Sequence, residues 1–300
     1  MRFASIDIGS NAVRLLLCNV IEDSSNTHFK KNELIRMPIR LGDDAFLLKK
    51  IAEEKIKKLV DTMRAFKYLI KVFDAVSYRA CATSAMRDAE NGSEIIERIQ
   101  KEAGIQVEII DGKTEAEIIY SNHIAEHLEH GHSYLYIDVG GGSTQLTLFS
   151  GDKIVFSQSF NVGTIRFLHD TVSKEYWSFF KDKIKEITQN AHPLTAIGSG
   201  GNINKLFKML RKKDNKPVYY DKLKELHEYI SGFSVLERTT VLGLNPDRAD
   251  VIVPAAKIFL AVMKNGGIEE MIVPQIGLSD GIVHLLYEEY KAKNAEKVNA

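Results

Sequence analysis

The sequence predicts an α/β protein of two domains, and three observations support this. A chain of 300 residues is longer than one hydrophobic core usually supports, so two domains are expected. Short apolar stretches typical of strands alternate with stretches in which apolar residues recur at helical spacing. One strand–turn–strand unit occurs twice, as IDIGSNAVRLLL at residues 6–17 and as IDVGGGSTQLTL at residues 137–148. We therefore expect two similar halves, each built on this unit.

The first half is expected to begin with a β-hairpin and a third strand. Its first turn contains Gly9, Ser10 and Asn11, which are typical turn formers between two alternating apolar stretches. The strands are predicted at residues 2–8, 13–20 and 28–39. Farther on, apolar spacing predicts helices at residues 50–66, 93–103 and 114–128, and strands at residues 71–77 and 106–110.

The second half repeats this beginning. The segment YLYIDVGGGSTQLTLF is again a strand, a glycine turn and a strand, and KIVFSQSF predicts a third strand. The remaining pattern predicts strands at residues 194–198 and 268–273, and helices at residues 173–189, 201–210, 220–230 and 247–264. The charged stretch RKKDNKPVYYDK contains a proline and is expected to be a loop.

Composition argues against several classes of function. Lys plus Arg equal Asp plus Glu at 40 each, which argues against wholesale nucleic-acid binding but leaves a local basic cleft open. No apolar run approaches the roughly 18 residues that a membrane span requires, and the N-terminus lacks a signal-peptide pattern. The cysteines Cys18 and Cys81 lie in apolar or small-residue stretches, as buried reduced thiols would. We expect a cytoplasmic protein with no nucleic acid and no membrane as partner.

Three glycine-rich turns follow predicted strands. Consecutive glycines let backbone N–H groups converge on an anion, and neighbouring hydroxyl groups add donors. A helix that follows such a turn adds positive potential from its N-terminus. Each turn by itself is more often only a tight turn, but three of them at strand ends favour phosphate as the ligand. The turns are Gly9-Ser10-Asn11, Gly140-Gly141-Gly142-Ser143-Thr144 and Gly198-Ser199-Gly200-Gly201-Asn202.

Two aspartates enter these turns from equivalent positions. Asp7 and Asp138 each lie at the end of an apolar strand. A carboxylate at that place could hold Mg²⁺, the usual partner of polyphosphate anions, or could cap the turn through its own backbone. One such aspartate would favour the cap, whereas two beside glycine turns favour the metal.

Glu115 is a candidate for acid–base chemistry. Thr114 and Glu117 fit a capping box, which makes Glu115 the first residue of a helix. An acidic residue in that turn is stabilised by the helix dipole, so its spacing alone favours a structural role. Glu117, two residues farther on, points away from Glu115 and provides an internal control.

Several cationic side chains are weaker candidates. Arg40 and Arg87 lie beside turn residues and could bind phosphate oxygens bidentately, and Arg14 is unusual within an apolar strand. Each one alone is more often solvated or structural. The spacing of three histidines on one predicted helix face gives only a weak metal hypothesis. They are His123, His127 and His130.

Taken together, these segments resemble the exopolyphosphatase and guanosine pentaphosphate phosphohydrolase family of the sugar kinase, Hsp70 and actin superfamily. The resemblance implies two actin-like, ribonuclease H-like domains with an interdomain cleft. It places domain I at residues 1–125 and domain II at residues 126–277, with the boundary near 122–132. A C-terminal helix at about 278–300 packs back on domain I. The matching segments are IDIGSNAVRLL, IRLGDD, ATSAMRDAEN, IIDGKTEAEIIY, IDVGGGSTQL, NVGTIRF, AIGSGGNINKL, LNPDRADVIVPAAKI and GLSDGI.

The resemblance also implies roles for single residues. Glu115 falls on the catalytic glutamate, which acts as the general base on water, and Asp138 falls on the metal-associated aspartate. Arg40 and Arg87 fall on arginines of the family motifs. The phosphate-loop residues fall on Ser10, Asn11, Gly140, Gly141, Gly142, Ser143 and Thr144. The sequence departs from the family pattern at Ala12, Thr114, Pro254-Ala255 and Ser279-Asp280.

The implied activity is the release of terminal orthophosphate from inorganic polyphosphate or guanosine pentaphosphate, with Mg²⁺ and within a homodimer. Two alternatives remain open at this point. One is an ATP-dependent kinase or ATPase of the same superfamily, which needs an adenosine pocket for which GSGGNINKL is the candidate. The other is a non-catalytic regulator that binds guanosine tetraphosphate.

Overall fold

The computed structural model describes residues 1–24, 26–120, 131–151, 153–210 and 216–298. The chain divides into two compact units, which we call unit 1 and unit 2. Unit 1 contains residues 1–122 and 277–300, and unit 2 contains residues 123–276. Each unit is a mixed α/β domain built around one sheet, which confirms the predicted α/β fold class. The predicted histidine face and most of the interval 122–132 lie outside the described residues.

Unit 1 contains a sheet of five strands within the described part of the chain, in the order β3-β2-β1-β4-β5. β1 pairs antiparallel with β2 and parallel with β4, as expected for a hairpin followed by a crossover connection. The alternation of the sequence buries most of β1 and β2, whereas β3 is an exposed edge. The strands are β1 Arg2–Ile8, β2 Val13–Glu22, β3 Thr27–Met37, β4 Ser77–Ala82 and β5 Glu108–Ile109.

The helices of unit 1 include the last helix of the chain. They are α1 Leu41–Leu47, α2 Glu53–Val72, α3 Ser84–Asp88, α4 Gly92–Ala103, α5 Gly112–Tyr120 and α13 Leu278–Val298. α13 contacts β1 through the hydrogen bond of Ser5 Oγ to the Ser279 carbonyl, 2.8 Å long. The rings of Phe3 and Tyr287 meet edge to face at 6.3 Å. The C-terminal segment is therefore part of the core of unit 1.

Unit 2 contains a six-stranded sheet in the order β10-β11-β9-β6-β7-β8 within the described residues. Strands β6 to β9 pair in the same way as β1 to β4. β6 pairs antiparallel with β7 and parallel with β9, and β7 pairs antiparallel with β8. The strands are β6 Ser133–Val139, β7 Thr144–Ser150, β8 Lys153–Phe160, β9 Leu194–Ser199, β10 Val218–Tyr219 and β11 Glu270–Ile272.

The helices of unit 2 enclose one apolar core. α12 is its centre, since Ala256, Phe259, Val262 and Met263 on it are fully buried against the sheet and its neighbouring helices. The helices are α6 Thr164–Leu168, α7 Lys174–Thr188, α8 Gly201–Met209, α9 Tyr220–Ser231, α10 Val235–Thr240, α11 Pro246–Ala249 and α12 Ile252–Gly266.

The sequence predicted the strand–turn–strand units well and some helices poorly. Residues 71–77 were expected to form a strand, but α2 continues to Val72 and the strand is β4, Ser77–Ala82. Ile70 continues the buried face of the helix, whereas Val72 is an exposed apolar residue at its end, and such exposed apolar residues imitate a short strand in the sequence. The short helices α1, α6 and α10 were not predicted, and the predicted helix 247–264 is divided into α11 and α12. No described helix is long and apolar enough to cross a membrane.

Candidate functional site

The first glycine turn of unit 1 joins β1 to β2. Its backbone closes with the Gly9 N–H donating to the Ala12 carbonyl at 3.1 Å. The Ser10 hydroxyl is buried and lies 2.9 Å from the Ser84 hydroxyl at the start of α3. Asn11 is half-buried. Of the two predicted phosphate residues in this turn, Asn11 is therefore the more accessible, and the Ser10 hydroxyl is already in contact with Ser84.

The segment that follows β3 holds this turn from one side. The Arg40 N–H donates to the Asn11 carbonyl at 3.0 Å, and the Gly42 N–H donates to the Ser10 carbonyl at 2.8 Å. Arg40 has a left-handed backbone with φ 58°, and its guanidinium donates twice to the Asp43 carboxylate, at 2.7 and 3.1 Å. The contact that Arg40 makes with the turn is thus made by its backbone.

Asp7 forms an ion pair inside unit 1. Its carboxylate is buried and accepts a hydrogen bond from Arg14, the residue opposite it on β2. Residues opposite one another on neighbouring strands lie on the same face of a sheet. The unusual arginine in an apolar strand is therefore explained as the neutralising partner of Asp7.

Glu115 lies in the first turn of α5 and is half-buried. Glu117 is exposed, and its Oε1 lies 3.8 Å from Lys113 Nζ. The predicted capping box is wrong. The helix begins at Gly112, and the Asp111 carboxylate accepts a hydrogen bond from the Thr114 N–H at 2.7 Å. That hydrogen bond lowers the pKa of Asp111. Aspartate caps a helix better than threonine, which is the reason for the earlier start.

Arg87 connects α3 to the segment before α5. Its guanidinium donates to the Ile110 carbonyl at 2.7 Å. Because Ser84 on the same helix contacts Ser10, α3 touches both the glycine turn and the residue before Asp111. Within unit 1, therefore, α3 links the first glycine turn to the segment that leads to Glu115.

The triple-glycine turn of unit 2 joins β6 to β7 and closes as the first turn does, with the Gly140 N–H donating to the Ser143 carbonyl at 2.9 Å. Its three glycine carbonyls accept hydrogen bonds from the segment that follows β8. The Thr164 N–H donates to the Gly140 carbonyl at 3.0 Å, and the Ile165 N–H donates to the Gly141 carbonyl at 2.8 Å. The Arg166 Nε donates to the Gly142 carbonyl at 2.7 Å. Thr144 is fully buried, and its hydroxyl donates to the Val162 carbonyl. Thr144 thus fixes the turn with its side chain.

Asp138 lies at the end of β6 in a different environment from Asp7. The residues opposite it in the sheet are the uncharged Gln145 on β7 and Ser199 on β9. Gly200 follows with φ 90°, and a Cβ atom there would lie 2.6 Å from Asp138 Oδ1. The third glycine turn therefore lies so close to Asp138 that a residue with a side chain would not fit at position 200.

Gln145, opposite Asp138 in the register of β6 and β7, carries a further side-chain oxygen. The side chain is 5% exposed, and its Nε2 donates to Ser157 Oγ at 3.0 Å. Its Oε1 is buried and has no hydrogen-bond partner among the described residues. A buried carbonyl oxygen of this kind is rare unless a water molecule or an ion satisfies it. Asp138 and Gln145 offer oxygen ligands, which suit Mg²⁺.

The described residues contain no group of three or more His, Cys, Asp or Glu side chains that could hold a metal ion. Mg²⁺ usually keeps several water molecules and binds through one or two carboxylates together with substrate phosphates. The pair of Asp138 and Gln145 fits such an ion, whereas the carboxylate of Asp7 already contacts a guanidinium.

Comparison with known proteins shows the family of this chain. The model of the Ppx/GppA phosphatase family matches residues 20–289. The chain belongs to the Ppx/GppA phosphatase family. This confirms the resemblance that was inferred from the motifs.

Curated relatives of this Ppx/GppA protein have different names and lengths. Exopolyphosphatase 1 of Mycobacterium bovis is 24% identical, over 94% of this chain and 87% of the relative. The guanosine-5'-triphosphate,3'-diphosphate pyrophosphatase of Photobacterium profundum is 24% identical, over 94% of this chain and 58% of the relative. The bifunctional 3-dehydroquinate synthase/phosphatase of Fusobacterium nucleatum is 30% identical, over 91% of this chain and 44% of the relative. The chain thus spans about half the length of the last two.

Solved structures of the Ppx/GppA family share the fold. The Aquifex aeolicus family member is 25% identical with a TM-score of 0.77, covering 97% of this chain and 98% of that one. An exopolyphosphatase from Cytophaga hutchinsonii, 24% identical, has a TM-score of 0.84 and covers 96% of this chain and 98% of that one.

Some residues that hold these turns and helices were not singled out from the sequence. Arg166, Gln145 and Asp111 carry contacts that depend on tertiary pairing. Gln145 gave little signal, because β7 contains other polar residues, Thr144, Thr147 and Ser150. Arg166 lies in the short helix α6, and an arginine in the last turn of a helix is common at protein surfaces.

Proposed function

We propose that this protein is a phosphoanhydride hydrolase that releases terminal orthophosphate from inorganic polyphosphate or guanosine pentaphosphate. The observation that carries this proposal is the repeated turn. In each unit a strand ends in an aspartate and a glycine turn, and the carbonyls of that turn are bound from one side by the segment after the third strand. Family membership and the names of the relatives support the same chemistry.

We propose that each glycine turn binds phosphate oxygens through its N–H groups, with Asn11 as the side-chain donor of the unit 1 turn and Ser143 as that of the unit 2 turn. The guanidinium groups of Arg40 and Arg87 would assist, although each already contacts a protein oxygen and would have to share or exchange that contact. Phosphoryl transfer depends mainly on positioning and charge stabilisation, which rigid turns can supply.

We propose Asp138 and Gln145 as the residues that would hold Mg²⁺. When bound, the ion neutralises phosphate charge and polarises the bond to be broken. In the reaction itself Glu115 accepts a proton from a water molecule, whose oxygen forms the new bond to the terminal phosphorus. The bond from that phosphorus to its bridging oxygen breaks, and the shortened chain leaves with the electron pair. A half-buried glutamate in the first turn of a helix can hold water at a fixed position.

The test is the release of orthophosphate from short and long polyphosphate, guanosine pentaphosphate and ATP, with Mg²⁺ or with chelator. The wild type is compared with Glu115→Gln and with Glu117→Gln, which changes the same charge on the exposed side of α5. Loss of a general base costs about 10²- to 10⁴-fold in rate, so Glu115→Gln should fall by that much and Glu117→Gln should not.

Each result has a distinct meaning. Metal-dependent release that is lost only in the Glu115 variant supports the hydrolase and its base. No release from any polyphosphate by the folded wild type would overturn the enzyme proposal and favour guanosine tetraphosphate binding. Turnover of ATP alone would favour the kinase or ATPase alternative.

A further inference from the structure

The carbonyl oxygens of the triple-glycine turn are all bound by one segment. In a trans peptide the C=O and the N–H of the next residue point in opposite directions. Because the carbonyls of residues 140–142 face this segment, the N–H groups of residues 141–143 point away from it. Three neighbouring N–H groups directed to one side are what an anion-binding concavity requires. The donors of the segment are Thr164 N–H, Ile165 N–H and Arg166 Nε.

Arg166 is the side chain that completes this arrangement. It is 8% exposed, its Nε donates to the Gly142 carbonyl at 2.7 Å, and its own carbonyl accepts from the Thr171 N–H at 2.9 Å and the Thr171 hydroxyl at 3.2 Å. A buried guanidinium is costly unless its contacts compensate. The positive charge of Arg166 lies next to the Gly142 carbonyl oxygen. It offsets the negative end of this carbonyl dipole, which by itself would repel an anion bound at the turn.

Gly163 brings this segment into direct contact with the turn. A Cβ atom on Gly163 would lie 2.3 Å from the Gly141 carbonyl oxygen and 2.4 Å from the Gly142 carbonyl carbon. Backbone atoms cannot yield at such distances without movement of the turn. The close approach is therefore part of how the turn is held, independently of charge.

The turn of unit 1 has corresponding backbone contacts. Its Asn11 and Ser10 carbonyls accept from the N–H groups of Arg40 and Gly42. In unit 2 the Arg166 side chain adds to such backbone contacts, so loss of this side chain should affect the triple-glycine turn.

We propose that Arg166 is a positioning residue that sets the phosphate affinity of the triple-glycine turn without touching the substrate. The inference rests on the proposed function, because it assumes that this turn binds phosphate. Loss of a charge-assisted hydrogen bond should weaken binding by about 10- to 100-fold. Arg166→Lys keeps the charge but not the planar fork and should lose less than Arg166→Met.

The experiment measures binding of tripolyphosphate by calorimetry and KM and kcat for orthophosphate release, in the full chain. Arg166→Met and Arg166→Lys are compared with Arg238→Met, because Arg238 also donates to two backbone carbonyls of unit 2, at 2.9 and 3.0 Å, away from the glycine turns. Gly163→Ala moves the turn without a change of charge. Its control is Gly232→Ala, where a Cβ atom would make an ordinary contact of 3.5 Å.

We expect weaker binding and higher KM in the Arg166 and Gly163 variants, with no comparable change in either control at similar thermal stability. If Arg166→Met does not fold, Arg166→Lys decides the role of the side chain, and Gly163→Ala tests separately whether the position of the turn sets affinity. Equal effects of Arg166→Met and Arg238→Met on affinity would overturn the inference alone. Absence of tripolyphosphate binding and of phosphate release in the wild type would overturn the proposed function, and the inference with it.

Discussion

Asp7 and Asp138 occupy equivalent positions in the two units but have different neighbours. Arg14 lies opposite Asp7, and Gln145 lies opposite Asp138. The Arg14 guanidinium neutralises the charge of Asp7 within the protein, whereas the amide of Gln145 places a second oxygen-bearing side chain opposite Asp138. The sequence repeat treats the two aspartates alike, but the residues opposite them differ.

This difference predicts separate effects of two matched substitutions. Asp138→Asn should raise the Mg²⁺ concentration for half-maximal activity by roughly tenfold or more, because it removes a proposed ligand charge. Asp7→Asn should instead lower the free energy of unfolding by about 2 kcal/mol, because it weakens the buried contact with Arg14. Activity titrated with Mg²⁺ and unfolding in urea measure the two effects. An equal shift in Mg²⁺ dependence for both variants would show that Asp7 also binds the ion.

The two cysteines are predicted to be unreactive in the folded protein. Burial raises the pKa of Cys18 to about 11, and the nearby Asp280 carboxylate adds to this effect. Burial and the charge of Glu108 raise the pKa of Cys81 still further. The thiolate is the reactive form, and at pH 8 a thiol with this pKa is only about 0.1% thiolate.

Iodoacetamide at pH 8 should therefore leave both cysteines unmodified in the native protein and alkylate both in urea, as seen by mass spectrometry. Modification of the native protein should increase as the pH approaches 11. Rapid labelling of Cys18 at pH 8 under native conditions would contradict its burial.

At the scale of elements, α13 packs on α5 through one glycine. A Cβ atom on Gly281 would lie 1.9 Å from the Ile118 carbonyl oxygen, so the two helices approach each other at backbone contact. α5 carries Glu115 in its first turn, and the position of that turn therefore depends on how α13 fits against the helix.

Gly281→Ala should force these helices apart. Overpacking of this kind costs about 1–3 kcal/mol, and the backbone contact places this variant toward the upper part of that range. Urea unfolding measures the loss of stability, and orthophosphate release should fall with it because Glu115 moves. Gly232→Ala is the control and should change stability by no more than about 0.5 kcal/mol. If Gly281→Ala were as stable as the wild type, α13 would not pack against α5 at backbone contact.

At the scale of the whole molecule, unit 1 is assembled from both ends of the chain, residues 1–122 and 277–300. α13 covers a sheet face that carries Phe3 and Ser5, so unit 1 cannot complete its core until the last segment is present. Unit 2 is continuous in sequence and has its own core.

A chain that ends at Ile276 should therefore lose the cooperative unfolding of unit 1 while unit 2 remains folded. Limited proteolysis should cleave it rapidly within residues 1–120 and spare most of residues 131–276. A chain that ends at Lys293 removes only the polar end of α13 and is the control. Equal protection of both halves in the shorter chain would show that unit 1 folds without α13.

Much of the fold followed from local pattern. The alternation in RFASIDI and VRLLLCNV, and its repetition at YLYIDV and QLTLF, predicted the hairpins and two similar halves. The glycine turns were visible because glycine clusters leave few other interpretations at a strand end. Strand β4 was misplaced, since apolar residues at the end of α2 fit both a helix and a short strand.

The sequence by itself determined the fold class, the family and the residue types available for phosphate chemistry, because these depend on local periodicity and short motifs. Only the tertiary structure decided which side chain meets which. The pairing of Asp7 with Arg14 and of Asp138 with Gln145 depends on strand register, and the contact of Arg166 with Gly142 joins residues 24 positions apart. Such contacts arise when distant segments pack, and no local pattern encodes the distance between them.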